Sequence, residues 1–198
     1  MSQSTKDVLI NKALFLFNKG ELKKCLKETH KARKAYPDEP FIYNLLGVLY
    51  AYAESYDEST KNYSKAIKLN PKYAEAHNNL GVAYTHWKKF RKALEAFERA
   101  IEINPNYADA HNNKGNTFKE KGEYDLAIKS YERSLYLNPE YIDAITNLGI
   151  IYDITNDFSK AELYFKQALA LNPANTSVLY NFANCLYNVK NYKQSISV

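Results

Sequence analysis

The chain has 198 residues, of which 45% are hydrophobic and 25% charged, a balance that supports a packed core and excludes a disordered polymer. Its formal charge of +5 is uneven: residues 1–36 carry nine lysines and arginines against three acids, and the remainder carries eighteen against nineteen. The basicity belongs to one end, which argues against a nucleic-acid surface running along the molecule.

A unit of 34 residues recurs along the chain, marked by prolines at 37, 71, 105, 139 and 173 and glycines at 47, 81, 115 and 149. A fixed period of this length signals stacked repeats, because one such unit cannot bury its apolar face without neighbours. The period places a single array over residues 1–198, with units at 6–39, 40–73, 74–107, 108–141 and 142–175 and an incomplete one at 176–198. The first unit diverges: Ala13, Lys12 and Thr29 stand where later units have glycine, leucine and an aromatic residue, as expected of an end cap. Its apolar run Ala13–Phe17 is bracketed too tightly by Asn11, Lys12, Asn18 and Lys19 to be a secretion signal. In the second unit, Ser55 followed by Glu58 fits a capping box opening a helix.

The third unit shows the pattern most clearly. Ala76, His77, Leu80, Gly81 and Tyr84 recur at three- and four-residue steps, which places them on one helical face. After a polar turn at Trp87–Lys89, residues Phe90, Ala93, Leu94, Phe97, Ala100 and Ile101 predict a second amphipathic helix. It stops at Asn104-Pro105, because proline cannot continue the hydrogen-bond ladder and pushes its predecessor out of the helical region. The fourth unit repeats this text with Lys114 in the leucine position, where its long stem can snorkel toward the groove. The sixth predicts a first helix over about Thr176 to Asn188 and the opening of a second at Tyr192. Leu179, Phe182 and Leu186 are then incompletely covered, so the array is expected to continue in a longer protein or to self-associate through these three residues.

Small residues keep their own columns: the four glycines in the first helix, and Ala93, Ala127 and Ala161 in the second. Glycine inside a helix costs about 1 kcal/mol relative to alanine, so its recurrence predicts close approach of the paired helices. Tyr63, Phe97, Tyr131 and Phe165 supply the complementary large column, small against large being how helices interlock at native density.

The order Leu80-Gly81, Tyr84, Ala93, Phe97, Ala100, Pro105 resembles the tetratricopeptide repeat (TPR) signature, and the likeness covers residues 6–198. It implies an all-α fold, a right-handed superhelix of antiparallel helix pairs, with the first helix of each pair lining a concave groove. Across the groove-facing stripe run Asn79, Asn113, Asn147 and Asn181, with Asn44, Asn78 and Asn112 in the adjacent column and Asn116 and Asn184 a turn later. Asparagine offers a donor and an acceptor together, so such a ladder can pair with the backbone of an extended peptide without reading its side chains. The arrangement is similar to the asparagine ladder in the superhelix of the O-linked N-acetylglucosamine transferase, which implies binding of substrate polypeptides. It also raises the alternative of a substrate-recruiting arm of a larger enzyme. Another TPR subclass clamps C-terminal carboxylates with groove lysines and arginines. Here the groove columns hold Glu75, Asp109, Asp143 and Asp153, with Lys119 the exception, which favours a basic or neutral segment.

No catalytic constellation, phosphate loop or metal motif occurs in the sequence, so no enzyme activity, cofactor or metal is expected. His77 and His111 share a column with Tyr43 and Ile145, which marks packing rather than a metal site. Cys25 and Cys185 lie five repeats apart, too far to pair, and no apolar run reaches membrane-spanning length. The expectation is a cytoplasmic scaffold that binds a protein or peptide, with neither nucleic acid nor membrane as partner.

Overall fold

The computed structural model describes residues 3–196, with side chains placed for residues 5–190. Among the described residues all regular structure is helical, and the helices form consecutive antiparallel pairs. They group into two compact units, residues 1–105 and 106–198.

The first unit pairs α1 (Gln3–Asn18) with α2 (Leu22–Ala35), α3 (Pro40–Tyr52) with α4 (Tyr56–Leu69), and α5 (Ala74–His86) with α6 (Phe90–Ile103). Pairs stack on one another: α2 packs on α3, and α4 on α5. Its core alternates between a cluster around Ala13, Cys25, Leu45 and Leu49 and one around Ala32, Ile42 and Leu46. The second unit pairs α7 (Ala108–Glu120) with α8 (Tyr124–Leu137) and α9 (Ile142–Ile154) with α10 (Phe158–Leu171), and ends in α11 (Thr176–Ile196). Its clusters centre on Tyr131, Leu148 and Ile151, and on Ile145, Phe165 and Val178.

One device makes every hairpin turn. Gly20, Glu54, Lys88, Gly122 and Asn156, one per repeat, adopt left-handed backbone with φ between 54° and 78°. The next residue then sends its N–H back to a carbonyl five positions earlier, as in Lys89 to Tyr84 at 2.8 Å and Glu123 to Phe118 at 2.9 Å. This is the Schellman closure, which satisfies carbonyls that the helix end leaves open. The sixth member of the column, Lys190, remains helical, and α11 runs unbroken where a second helix was expected from Tyr192. A left-handed non-glycine residue costs about 1–2 kcal/mol, recovered elsewhere when a full second helix packs back.

The glycine columns are explained by contact. A Cβ at Gly81 would lie 2.6 Å from Phe97 Cε1, and one at Gly115 would lie 2.6 Å from Tyr131 Cε1. Gly47 and Gly149 meet Tyr63 and Phe165 in the same way. The first repeat solves the problem inversely: Ala13 is buried and faces a repeat whose ring position holds the smaller, buried Thr29. The capping box at Ser55 does not form. Ser55 Oγ donates to the Ala53 carbonyl at 3.4 Å, and Glu58 takes Lys61 Nζ at 2.9 Å instead. In the same column Asp157 does cap its helix, accepting from the Lys160 N–H at 3.3 Å. Its carboxylate reaches farther than a hydroxyl that already has a nearby carbonyl to bond.

Candidate functional site

Within each unit the first helices of successive pairs touch: α3 meets α5, and α7 and α11 both meet α9. The asparagine columns lie along these contacts, and the structure separates them by burial.

In the first unit Asn44 is only 2% exposed. Its Nδ2 donates to Glu75 Oε1 at 2.9 Å and to Tyr73 Oη at 3.4 Å, and its Oδ1 accepts from Asn79 Nδ2 at 3.2 Å. Asn78, also buried, donates to Asn79 Oδ1 at 3.5 Å. The second unit repeats the rung: Asn147 Nδ2 donates to Oδ1 of the buried Asn112 at 3.4 Å, while Asn147 Oδ1 accepts from Lys119 Nζ at 2.7 Å. Each rung joins residues 35 apart, one repeat plus one position. Asn44 and Asn112 are therefore sealed into these seams and Asn78 is buried on α5, whereas Asn79, Asn113, Asn147 and Asn181 are half-buried. Asn181 Nδ2 bonds the Ser177 carbonyl at 2.9 Å, half-buried Asn116 accepts from Tyr131 Oη at 2.8 Å, and Asn184 is exposed.

The two rungs hold the Asn79 and Asn147 amides by their neighbours, so each of these carries a fixed orientation instead of a free rotor. Around them the charge is mainly acidic. Glu75, Asp109 and Asp143 are exposed, and Asp153 is half-buried and accepts from Asn188 Nδ2 at 3.0 Å. Tyr141 Oη donates to Asp109 Oδ1 at 2.6 Å, and its phenol is raised above the ordinary tyrosine range, first by burial and then by that carboxylate. Burial pulls the Lys119 ammonium below the usual lysine range, since the charged form is the one that loses water. Lys114 is half-buried with its Nζ 5.9 Å from the Phe118 ring centre.

The tyrosine–carboxylate contact was not legible as a site in the sequence, although Tyr73, Tyr107 and Tyr141 form a column that could have signalled it. The histidine column ties loops. His77 Nε2 lies 3.2 Å from the Pro71 carbonyl, as Tyr43 Oη lies 2.9 Å from that of Pro37. Among the described residues no cluster of three His, Cys, Asp or Glu could hold a metal ion, and no helix is long and apolar enough to cross a membrane.

The tetratricopeptide repeat model matches residues 74–107, 108–141 and 142–175, and a second TPR repeat model matches residues 49–85. The chain belongs to the tetratricopeptide repeat family. MamA is 28% identical over 83% of this chain and 96% of its own, with a TM-score of 0.69. TTC0263, a thermophilic TPR protein of Thermus thermophilus, is 20% identical over 92% of this chain and 99% of its own, with a TM-score of 0.81. YrrB, described as a TPR protein with an unusual peptide-binding site, is 24% identical over 87% of this chain and 89% of its own, with a TM-score of 0.64. The likenesses to TTC0263 and YrrB establish the fold alone. No curated protein sequence matches the chain significantly.

Proposed function

We propose that this TPR protein is an interaction scaffold that binds an extended segment of a partner protein along its first helices. The observation that carries the reading is the repeated rung, Asn44 to Asn79 and Asn112 to Asn147, which presents a half-buried, oriented amide at the same place in the third and fifth repeats. An extended peptide repeats its own N–H and C=O groups, and oriented amides pair with them whatever the side chains. Each such bond contributes about 0.5–1.5 kcal/mol net, so binding requires several rungs together. Exposed Glu75, Asp109 and Asp143 favour a basic or neutral segment over an acidic one. The peptide-binding site described for YrrB supports the same reading.

The test is the triple replacement of Asn79, Asn113 and Asn147 by alanine. Peptides are first selected by the wild-type chain from a random twelve-residue display library, and their affinity is measured by fluorescence polarisation. Because Asn79 and Asn147 also satisfy the buried Asn44 and Asn112, orphaning those groups costs about 1–3 kcal/mol each, and the variant melts lower. Gly149→Ala, which destabilises through the Phe165 ring, serves as the control for stability alone. A loss of at least about tenfold in affinity in the triple variant, with affinity kept in the control, is expected. Unchanged affinity in the triple variant refutes the reading.

A second reading is favoured by α11, where Leu179 and Leu186 are 45% and 48% exposed while Phe182 packs on Phe165 at a centroid distance of 5.8 Å. These residues would serve self-association. Light scattering decides it, and a monomer at every concentration would exclude it.

A further inference from the structure

The first unit holds a cleft of about 560 Å3 between α3, the start of α4 and α5. Val48 and Val82 give it an apolar lining, and Asn79 of the edge column forms part of its wall. Tyr52, Tyr56, His86 and Glu54 also line it, with Ala51, Tyr63 and Ala83, and among the described residues the lining includes no lysine or arginine. The Tyr56 and His86 rings lie parallel at 6.2 Å, and Tyr52 packs edge-on against Phe17 at 5.7 Å while remaining 65% exposed. Glu54, the left-handed residue that closes α3, is exposed and makes no ion pair among the described residues.

Aliphatic surface, aromatic faces and one unpaired carboxylate in the same cleft select a particular kind of side chain. An aliphatic guest would leave the Glu54 carboxylate without a partner, and an acidic guest would meet like charge. A guest with a methylene stem and a planar cationic head matches the valines, the tyrosine faces and the carboxylate together. Its stem covers Val48 and Val82, and its head stacks on tyrosine and pairs with the carboxylate. Lysine has the stem but presents a strongly hydrated point charge, whereas the guanidinium is planar, weakly hydrated and able to bond a carboxylate through two N–H groups.

We propose that the cleft bounded by Glu54, Tyr52, Tyr56 and His86 takes an arginine side chain, and is the specificity pocket for the segment bound along the first helices. The role in segment recognition rests on the proposed peptide-binding function, whereas occupancy by arginine can be read separately. The cleft opens beside Asn79, so the backbone carrying the arginine lies next to an oriented amide.

Two probes test it. N-acetyl-arginine N-methylamide and its neutral counterpart N-acetyl-citrulline N-methylamide are titrated into the full chain and followed by NMR at Tyr52, Tyr56 and His86. The arginine probe should shift these three residues saturably and bind about fivefold more tightly than the citrulline probe, and Glu54→Gln should abolish the difference. Equal binding of the two probes, or no response at these residues, overturns the proposal. Peptides selected by the wild-type chain should be enriched in arginine, and those selected by Glu54→Gln should not. If selected peptides depend on Asn79 and Asn147 but carry no arginine preference, the cleft assignment falls and the groove reading stands. If the arginine probe binds while no peptide is captured, the groove reading falls, and the segment-recognition role with it.

Discussion

Replacing Gly81 with alanine sets two opposing effects against each other. Alanine is the better helix residue by about 1 kcal/mol. Its Cβ, however, would stand 2.6 Å from Phe97 Cε1 and 2.8 Å from both Cδ1 and Cζ, against an ordinary carbon–carbon contact of about 3.5 Å or more. Phe97 is fully buried and has no solvent to swing into. An overlap of roughly 0.9 Å at a closed position belongs in the upper part of the 1–3 kcal/mol typical of overpacking, so the net loss is about 1–2 kcal/mol. Urea unfolding followed by circular dichroism measures it as a lower midpoint at constant slope.

Phe97→Thr alone removes the ring and should cost about 3–5 kcal/mol. The double variant recreates the Ala13 and Thr29 pairing found at the same positions of the first repeat. The added methyl then occupies space that the ring vacated, so the double variant should be less destabilised than the sum of the singles by about 1–2 kcal/mol. Strict additivity, or a stabilised Gly81→Ala, would refute the account of the glycine column.

Glu54 holds φ at 54° where Gly20 and Gly122 serve the same turn, so Glu54→Gly should raise stability by about 0.5–1 kcal/mol while losing any preference for arginine; a lower melting temperature contradicts this. Burial holds the His77 imidazole below the ordinary histidine range, and His30 shifts the same way. A base with a depressed folded pKa leaves the unfolded chain binding more protons. Stability is therefore full above an unfolded value of about 6.5 and falls as the pH drops through it. His77→Tyr, following Tyr43 in the same column, should flatten that decline between about pH 7 and 5, as read by melting at each pH. Burial pushes the Cys185 thiol up to about 12, and Cys25 is raised as well. Both cysteines should resist alkylation by iodoacetamide near pH 8 until the chain unfolds, because the thiolate is the reactive form. Rapid labelling of the folded protein would contradict the burial of either thiol.

The repeat unit, the helix pairs and the glycine–aromatic match across each pair were determined by the sequence alone. They arise within 34 residues, where helical period, proline stops and side-chain volume act locally. The asparagine columns were visible too, but not their division of labour. Asn78 and Asn79 are neighbours in sequence, about 100° apart around the helix, and only tertiary packing buries the first and leaves the second half-buried. The same limit applied to Ser55, whose hydroxyl found a closer carbonyl, and to α11, which stays helical through Lys190 where the other repeats turn. The cleft at Glu54 was least legible, because it joins side chains of three helices that no single periodicity connects. Local pattern specifies what each face is made of, and the angles at which successive helix pairs meet decide which groups remain open to a ligand.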